Sequence, residues 1–283
     1  MFTPMEGNAA LCALFITCMS GTDKGLAHAK FTILIDRYLR DYGLDRVLMG
    51  MISGGREYQP DLSYIPRFPD PNQTAIAPDN NGYGKTWKRM AIEIEFLHRS
   101  PSGLRKVGHN FLNGQNSYAS LFVVIKVWKK DATTGHFAAA AVVWERTHPG
   151  PGAAGNVIVR QALDFGTQRM SQLSINTWAG IPAPGAPPPA HPLPPMIPPV
   201  LPTDWRRPNE FDNPLQAFQF GQPEPAIIQD CCLILPKEAM FYRVSCGNPQ
   251  PNQVTYVTDV LPNLQDCAID MRIYQRNLNK YLD

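Results

Sequence analysis

The stretch Met90-Ala91-Ile92-Glu93-Ile94-Glu95-Phe96-Leu97 decides the fold class, because Ile92, Ile94 and Phe96 alternate with Ala91, Glu93 and Glu95. Successive side chains of a strand point to opposite faces, so this period of two predicts one apolar face and one face that carries both carboxylates. Downstream, Ser100 or Ser102 is placed to cap a helix running to about Leu112, with Leu104, Val107 and Phe111 as its stripe and Asn113-Gly114 as its exit. Leu121 to Trp128 follows as the most continuous strand, and Phe137 to Arg146 and Val157 to Gln161 extend the sheet. Upstream, Phe31, Leu34, Ile35, Tyr38, Leu39 and Tyr42 recur at offsets of three and four, which predicts a helix from Thr22 or Asp23 to Tyr42 that stops at Gly43. Arg46 to Ser53 and Leu62 to Ile65 read as short strands, with a polar, Pro- and Gly-rich loop over Arg67 to Gly84. That order predicts a mixed α/β or α+β sheet flanked by helices, and excludes a bundle.

Composition bounds the function classes. Hydrophobic residues make up 44% of the 283 and charged residues 18%, which excludes a wholly disordered chain. Lys and Arg number 26 against 24 Asp and Glu, so any nucleic-acid binding would rest on a local site and not on a strongly basic whole. The cysteines, Cys12, Cys18, Cys231, Cys232, Cys246 and Cys267, form no CxxC pair and suggest no structural zinc. Their sparseness and apolar neighbours favour a reducing intracellular compartment, cytoplasmic or nuclear, with Cys231-Cys232 read as packing. Ala9 to Met19 has the length of a signal-peptide apolar region but follows Glu6 and has no basic segment before it. No stretch reaches the roughly 18 apolar residues of a membrane span, so no membrane partner is expected.

Proline is about twice as frequent as usual, and eleven of the 28 prolines fall between Ile181 and Pro202. No helix or central strand can hold them, so the tract is expected to be exposed polyproline II. Its PxxP spacings, such as Pro184 to Pro187 and Pro195 to Pro198, could dock on an SH3 or WW domain, but a plain solvent-exposed spacer is the favoured reading, since polyproline II needs no partner. The chain thus divides into a sheet-bearing core over residues 1–180, a Pro-rich linker or insertion over 181–208, and a C-terminal strand-helix segment over 209–283. In that last segment Ala226 to Leu235 reads as a strand, Pro236 to Tyr242 as a short helical turn, and Asp259 to Leu282 as helical beyond Pro262. Both longer elements carry too much apolar surface to stand alone, so they are expected to fold back on the core.

Chemistry is concentrated at Pro60-Asp61, at Glu93-Ile94-Glu95, and at Arg105-Lys106 in the following helix. Acids at strand centres are unusual unless something offsets their desolvation, and a hard divalent cation does so. Asp61 and Glu93 are therefore candidate ligands for Mg²⁺ or Mn²⁺. Read alone, Asp61 after Pro60 also fits a turn residue. Glu93 and Glu95 also fit the solvated face of an amphipathic strand, paired with Lys88, Arg89 or Lys126. Lys85, Lys88, Arg89, Arg99, Arg105 and Lys106 outnumber the nearby acids and could meet a phosphate backbone.

The order helix, strand, Pro60-Asp61-Leu62-Ser63, then Ala91-Ile92-Glu93-Ile94-Glu95-Phe96, then Leu104-Arg105-Lys106 and Phe122-Val123-Val124-Ile125-Lys126-Val127 resembles the core of the PD-(D/E)XK, restriction-endonuclease-like superfamily. The similarity extends to uncharacterised fungal members and to Uma2-type nucleases, and it covers roughly Phe31 to Trp128. The resemblance implies a restriction-endonuclease-like sheet and Mg²⁺- or Mn²⁺-dependent hydrolysis of DNA or RNA phosphodiesters. Asp61 and Glu93 match the two acidic ligands. Glu95 stands where the motif usually has a catalytic lysine and would serve as a base or further ligand. Lys106 would supply the missing cation from the next helix, and Asp36 is a weaker candidate for the additional acid of the first helix. The departure at Glu95 keeps a second expectation open, a catalytically inactive nuclease-fold scaffold that binds a protein or nucleic acid.

Overall fold

The computed structural model describes residues 22–41, 62–64, 67–69, 76–78, 90–96, 99–113, 119–147, 156–182, 185, 197–216, 223, 225–241 and 263–282. Helix α1 (Thr22–Asp41) buries Ala27, Phe31, Ile35 and Tyr38 at the spacing of a single stripe. Three short strands follow, β1 (Leu62–Tyr64), β2 (Arg67–Pro69) and β3 (Ile76–Pro78). Strand β4 (Met90–Glu95) leads to α2 (Pro101–Leu112), whose first turn is closed by the Gly103 N–H donating to Ser100 Oγ at 3.2 Å. Then come β5 (Leu121–Val127), β6 (Ala139–Thr147), β7 (Asn156–Asp164) and α3 (Gln172–Trp178). The chain ends with β8 (Trp205–Arg206), β9 (Cys232–Leu235), α4 (Lys237–Met240), β10 (Cys267–Asp270) and α5 (Met271–Tyr281).

Six of these strands form one mixed sheet in the order β1-β4-β5-β6-β7-β8. β4 with β5 and β7 with β8 are parallel, and the other neighbours are antiparallel. Parallel β4 and β5 need a crossover, which α2 supplies. Alternation sorts each strand's side chains between two cores. Ile92, Ile94, Val123, Ile125, Ala141 and Val143 face α1, α5 and the β9–β10 pair. Ala91, Phe122, Val124, Val142 and Trp144 face α2, α3 and residues 197–205. On that second face Phe122, Trp144, Trp178 and Trp205 succeed one another with ring centroids 6.0 to 6.1 Å apart.

Several expectations meet a different outcome. The polar loop from Arg67 contains an antiparallel pair, β2 with β3. Cys267–Asp270 is a strand, because it completes a ladder with β9 in which Cys267 and Ile269 enter the core and Asp270 caps α5 by accepting from the Arg272 N–H at 2.9 Å. The far end of the proline tract is partly buried, although Leu201 and Pro202 are exposed. Ile197 and Val200 are buried against the second core, and the Pro198 carbonyl accepts from Trp144 Nε1 at 3.1 Å. Arg105 donates to the Ile197 carbonyl at 3.1 Å, which ties the same segment to α2. The strand expected over Arg46 to Ser53 lies outside the described residues.

Candidate functional site

Glu93 and Glu95 sit two residues apart on β4 and so share the face that Ala91 and α2 occupy. Both are buried, at 2% and 5% exposure, which replaces the solvated strand face with an interior one. The neighbouring parallel strand sets Lys126, 5% exposed, directly beside Glu95. Glu93 is ion-paired with Arg99, which follows β4 and remains partly exposed. Two acids and two cations therefore lie at the carboxyl ends of parallel strands, the end at which open α/β sheets hold ligands.

Burial pushes the Lys126 ammonium below its ordinary pKa, and the adjoining Glu95 carboxylate opposes that shift. Lys126 Nζ also lies 6.0 Å from the centre of the Trp128 ring. Ala140 flanks Lys126 on β6, and Asp164 flanks Ala140 on β7, so one uncharged position separates the cluster from a further buried acid in the same cross-strand row. Burial raises the Asp164 carboxyl, while the Met170 N–H at 2.8 Å and Arg207 at 2.8 Å act the other way. Arg207 bonds Asp212 as well, so this end of the row is a structural clamp.

The remaining candidates are dispersed. Asp61 lies outside the described residues, whose first strand begins at Leu62, opposite Ile92. Lys106 is exposed on α2, about 200° around the helix from buried Leu104, so it points away from the sheet and from the two acids. Asp36 belongs to α1, which packs on the opposite face of the sheet from Glu93. Among the basic residues expected at a rim, Lys85, Lys88 and Arg89 are outside the described residues, Arg99 pairs with Glu93 and Arg105 holds Ile197. The sequence pairs Lys126 with a solvated strand face and assigns it no role in the chemistry. The signal for more is a single lysine inside the apolar run Leu121 to Trp128, where burial without an acid would be costly.

Carboxylate oxygens suit a hard divalent cation in kind. Among the described residues, no group of three or more His, Cys, Asp or Glu side chains is placed to hold one ion. The chain matches no family model, no curated protein and no solved structure. No helix among the described residues is long and apolar enough to cross a membrane.

Proposed function

We propose that the chain is a nuclease-like hydrolase that cleaves phosphodiester bonds of DNA or RNA with the help of Mg²⁺ or Mn²⁺. The observation that carries this reading is the pair of buried carboxylates, Glu93 and Glu95, at the carboxyl end of β4 with Lys126 beside them. The strand that Asp61 immediately precedes in sequence is the hydrogen-bonded neighbour of the strand that carries Glu93, with Leu62 opposite Ile92. Asp61 and Glu93 would then hold the ion, which when bound supplies an activated water and a positive charge for the phosphate. Glu95 would orient or deprotonate the water. Lys126, buried in register with Glu95, takes over from Lys106 as the cation assigned to charge developing on the phosphate.

A second reading has its own support. Arg99 and Lys126 already offset Glu93 and Glu95, as expected of a catalytically silent scaffold that binds a protein or nucleic acid. Cleavage of single- and double-stranded DNA and RNA by the parent, Asp61→Ala and Glu93→Gln, with and without Mg²⁺ or Mn²⁺, separates the two. The nuclease reading expects metal-dependent cleavage that falls at least about 100-fold in both variants. No metal-dependent cleavage by the parent, or equal cleavage by all three folded proteins, leaves the scaffold.

A further inference from the structure

The far side of the sheet carries an opening that the acidic cluster does not use. β7 is nine residues long, yet β8 pairs only with its Ala162 and Leu163. Asn156 to Val159 pair with β6 on one side, and residues 156–160 have no second strand beside them among the described residues. A residue is inserted at Arg160, where the register slips between Val143 and Trp144. Ile158, 38% exposed, stands on this free edge. Beside it lies a cleft of about 420 Å³ lined by Val159, Arg160, Asp204, Arg206 and Ile234. Gln161 also lines it, and its side-chain amide pairs with the β9 backbone like a strand. It donates to the Cys232 carbonyl at 2.7 Å and accepts from the Ile234 N–H at 2.8 Å.

We infer that this edge of β7 is a docking site for an extended, acidic segment of a partner protein, added as a strand beside residues 156–160. Unpaired backbone donors and acceptors give such an edge its affinity, and alternate side chains give selectivity. Charge selects the acidic occupant. Arg206 is exposed and makes no ion pair among the described residues, and Arg160 is half exposed despite its contact with Glu145 at 3.6 Å. Asp204 is engaged as a cap, accepting from the Leu201 N–H at 2.9 Å. A second copy of the chain would bring the same guanidinium groups to the same edge, so self-pairing is disfavoured.

Fluorescence anisotropy of the full chain with a labelled peptide of alternating glutamate and valine tests the inference. Saturable binding is expected, weakened at least about tenfold in the lysine-valine counterpart and at least about tenfold when alternate backbone amides are N-methylated. Arg206→Glu, with unchanged thermal unfolding, should weaken the glutamate peptide by about tenfold as well. Absence of saturable binding, equal affinity for the lysine peptide, or indifference to N-methylation overturns it. So does displacement by single-stranded oligonucleotide alone, or a dimer in sedimentation that Ile158→Asp dissolves. β7 and β4 are separated by two strands, so the Glu93→Gln nuclease test and this one fail independently.

Discussion

Lys126 and Glu95 illustrate how much one neighbour decides for a charged residue. A lysine 5% exposed inside a sheet has its ammonium destabilised by burial, and Glu95 in register supplies the opposing charge. Breaking such a pair leaves an uncompensated buried charge, so Glu95→Leu alone should cost about 3 to 5 kcal/mol. Glu95→Leu combined with Lys126→Met should recover most of that loss. Urea unfolding of the four proteins of the cycle measures the coupling, and additive losses would count against the pairing. A second residue-scale expectation concerns acid. Asp131 accepts N–H bonds from Thr134 and Thr133 and the Thr134 hydroxyl, which hold its carboxyl below the usual range. A depressed folded pKa gives stability that is complete above the ordinary carboxylate pKa and is lost as pH falls through the folded one. The gap in stability between the parent and Asp131→Asn should therefore shrink as pH falls across that window, read from denaturant midpoints. A gap that widens in acid would contradict it.

Among the elements, close approach sets the tolerances. A Cβ on Gly166 would lie 2.4 Å from the Phe137 carbonyl oxygen and 2.5 Å from the Ala139 nitrogen, and backbone atoms at the entry to β6 cannot give way as a side chain can. On Gly108 it would meet the flank of the buried Phe122 ring at 2.5 Å and the end of the Ile197 side chain at 2.7 Å, side-chain atoms that shift more readily than backbone, and alanine there also gains about 1 kcal/mol of helix propensity. Gly166→Ala is thus expected to cost about 3 kcal/mol and Gly108→Ala about 1 kcal/mol, measured by urea unfolding. The reverse ranking would show that the Phe137–Gly166 approach is not the tighter one. Legibility in the sequence follows the same division between local and distant causes. Pro101–Leu112 and Leu121–Val127 were readable because cap, period and stop lie within each segment. Cys267–Asp270 was not, because its strand character comes from β9, more than thirty residues earlier, and nothing local distinguishes it from the helix it introduces. At the candidate site the common face of Glu93 and Glu95 was legible from alternation. Their burial, and the places of Lys126 and Arg99 beside them, depend on the parallel β4–β5 register and on the Arg99–Glu93 pairing, which no periodicity encodes.

At the scale of the whole molecule, the first and the last described helices, α1 and α5, build one core. Phe31 and Tyr274 meet edge to face with centroids 5.5 Å apart, and the Tyr274 hydroxyl donates to the Ala27 carbonyl at 3.3 Å. Tyr38 likewise donates to the Gln265 carbonyl at 2.6 Å. Phe211, Leu233, Leu235, Phe241, Ile269 and Leu278 are all buried in the cluster that covers the α1 face of the sheet. At about 1.5 to 3 kcal/mol each, these six side chains contribute on the order of 10 kcal/mol. That is as large as the whole net stability of an ordinary domain, about 5 to 15 kcal/mol. A fragment of residues 1–180 would keep β4 to β7 but expose the face that these residues cover, and would also lose Ile197 and Val200 from the other side. It is therefore expected to bind a hydrophobic dye and to show no cooperative thermal transition. Adding residues 197–283 as a separate chain should restore the transition, because the two pieces bury complementary surfaces. Cooperative melting of 1–180 alone would place an independent folding unit before the proline tract and make the C-terminal segment an accessory to it.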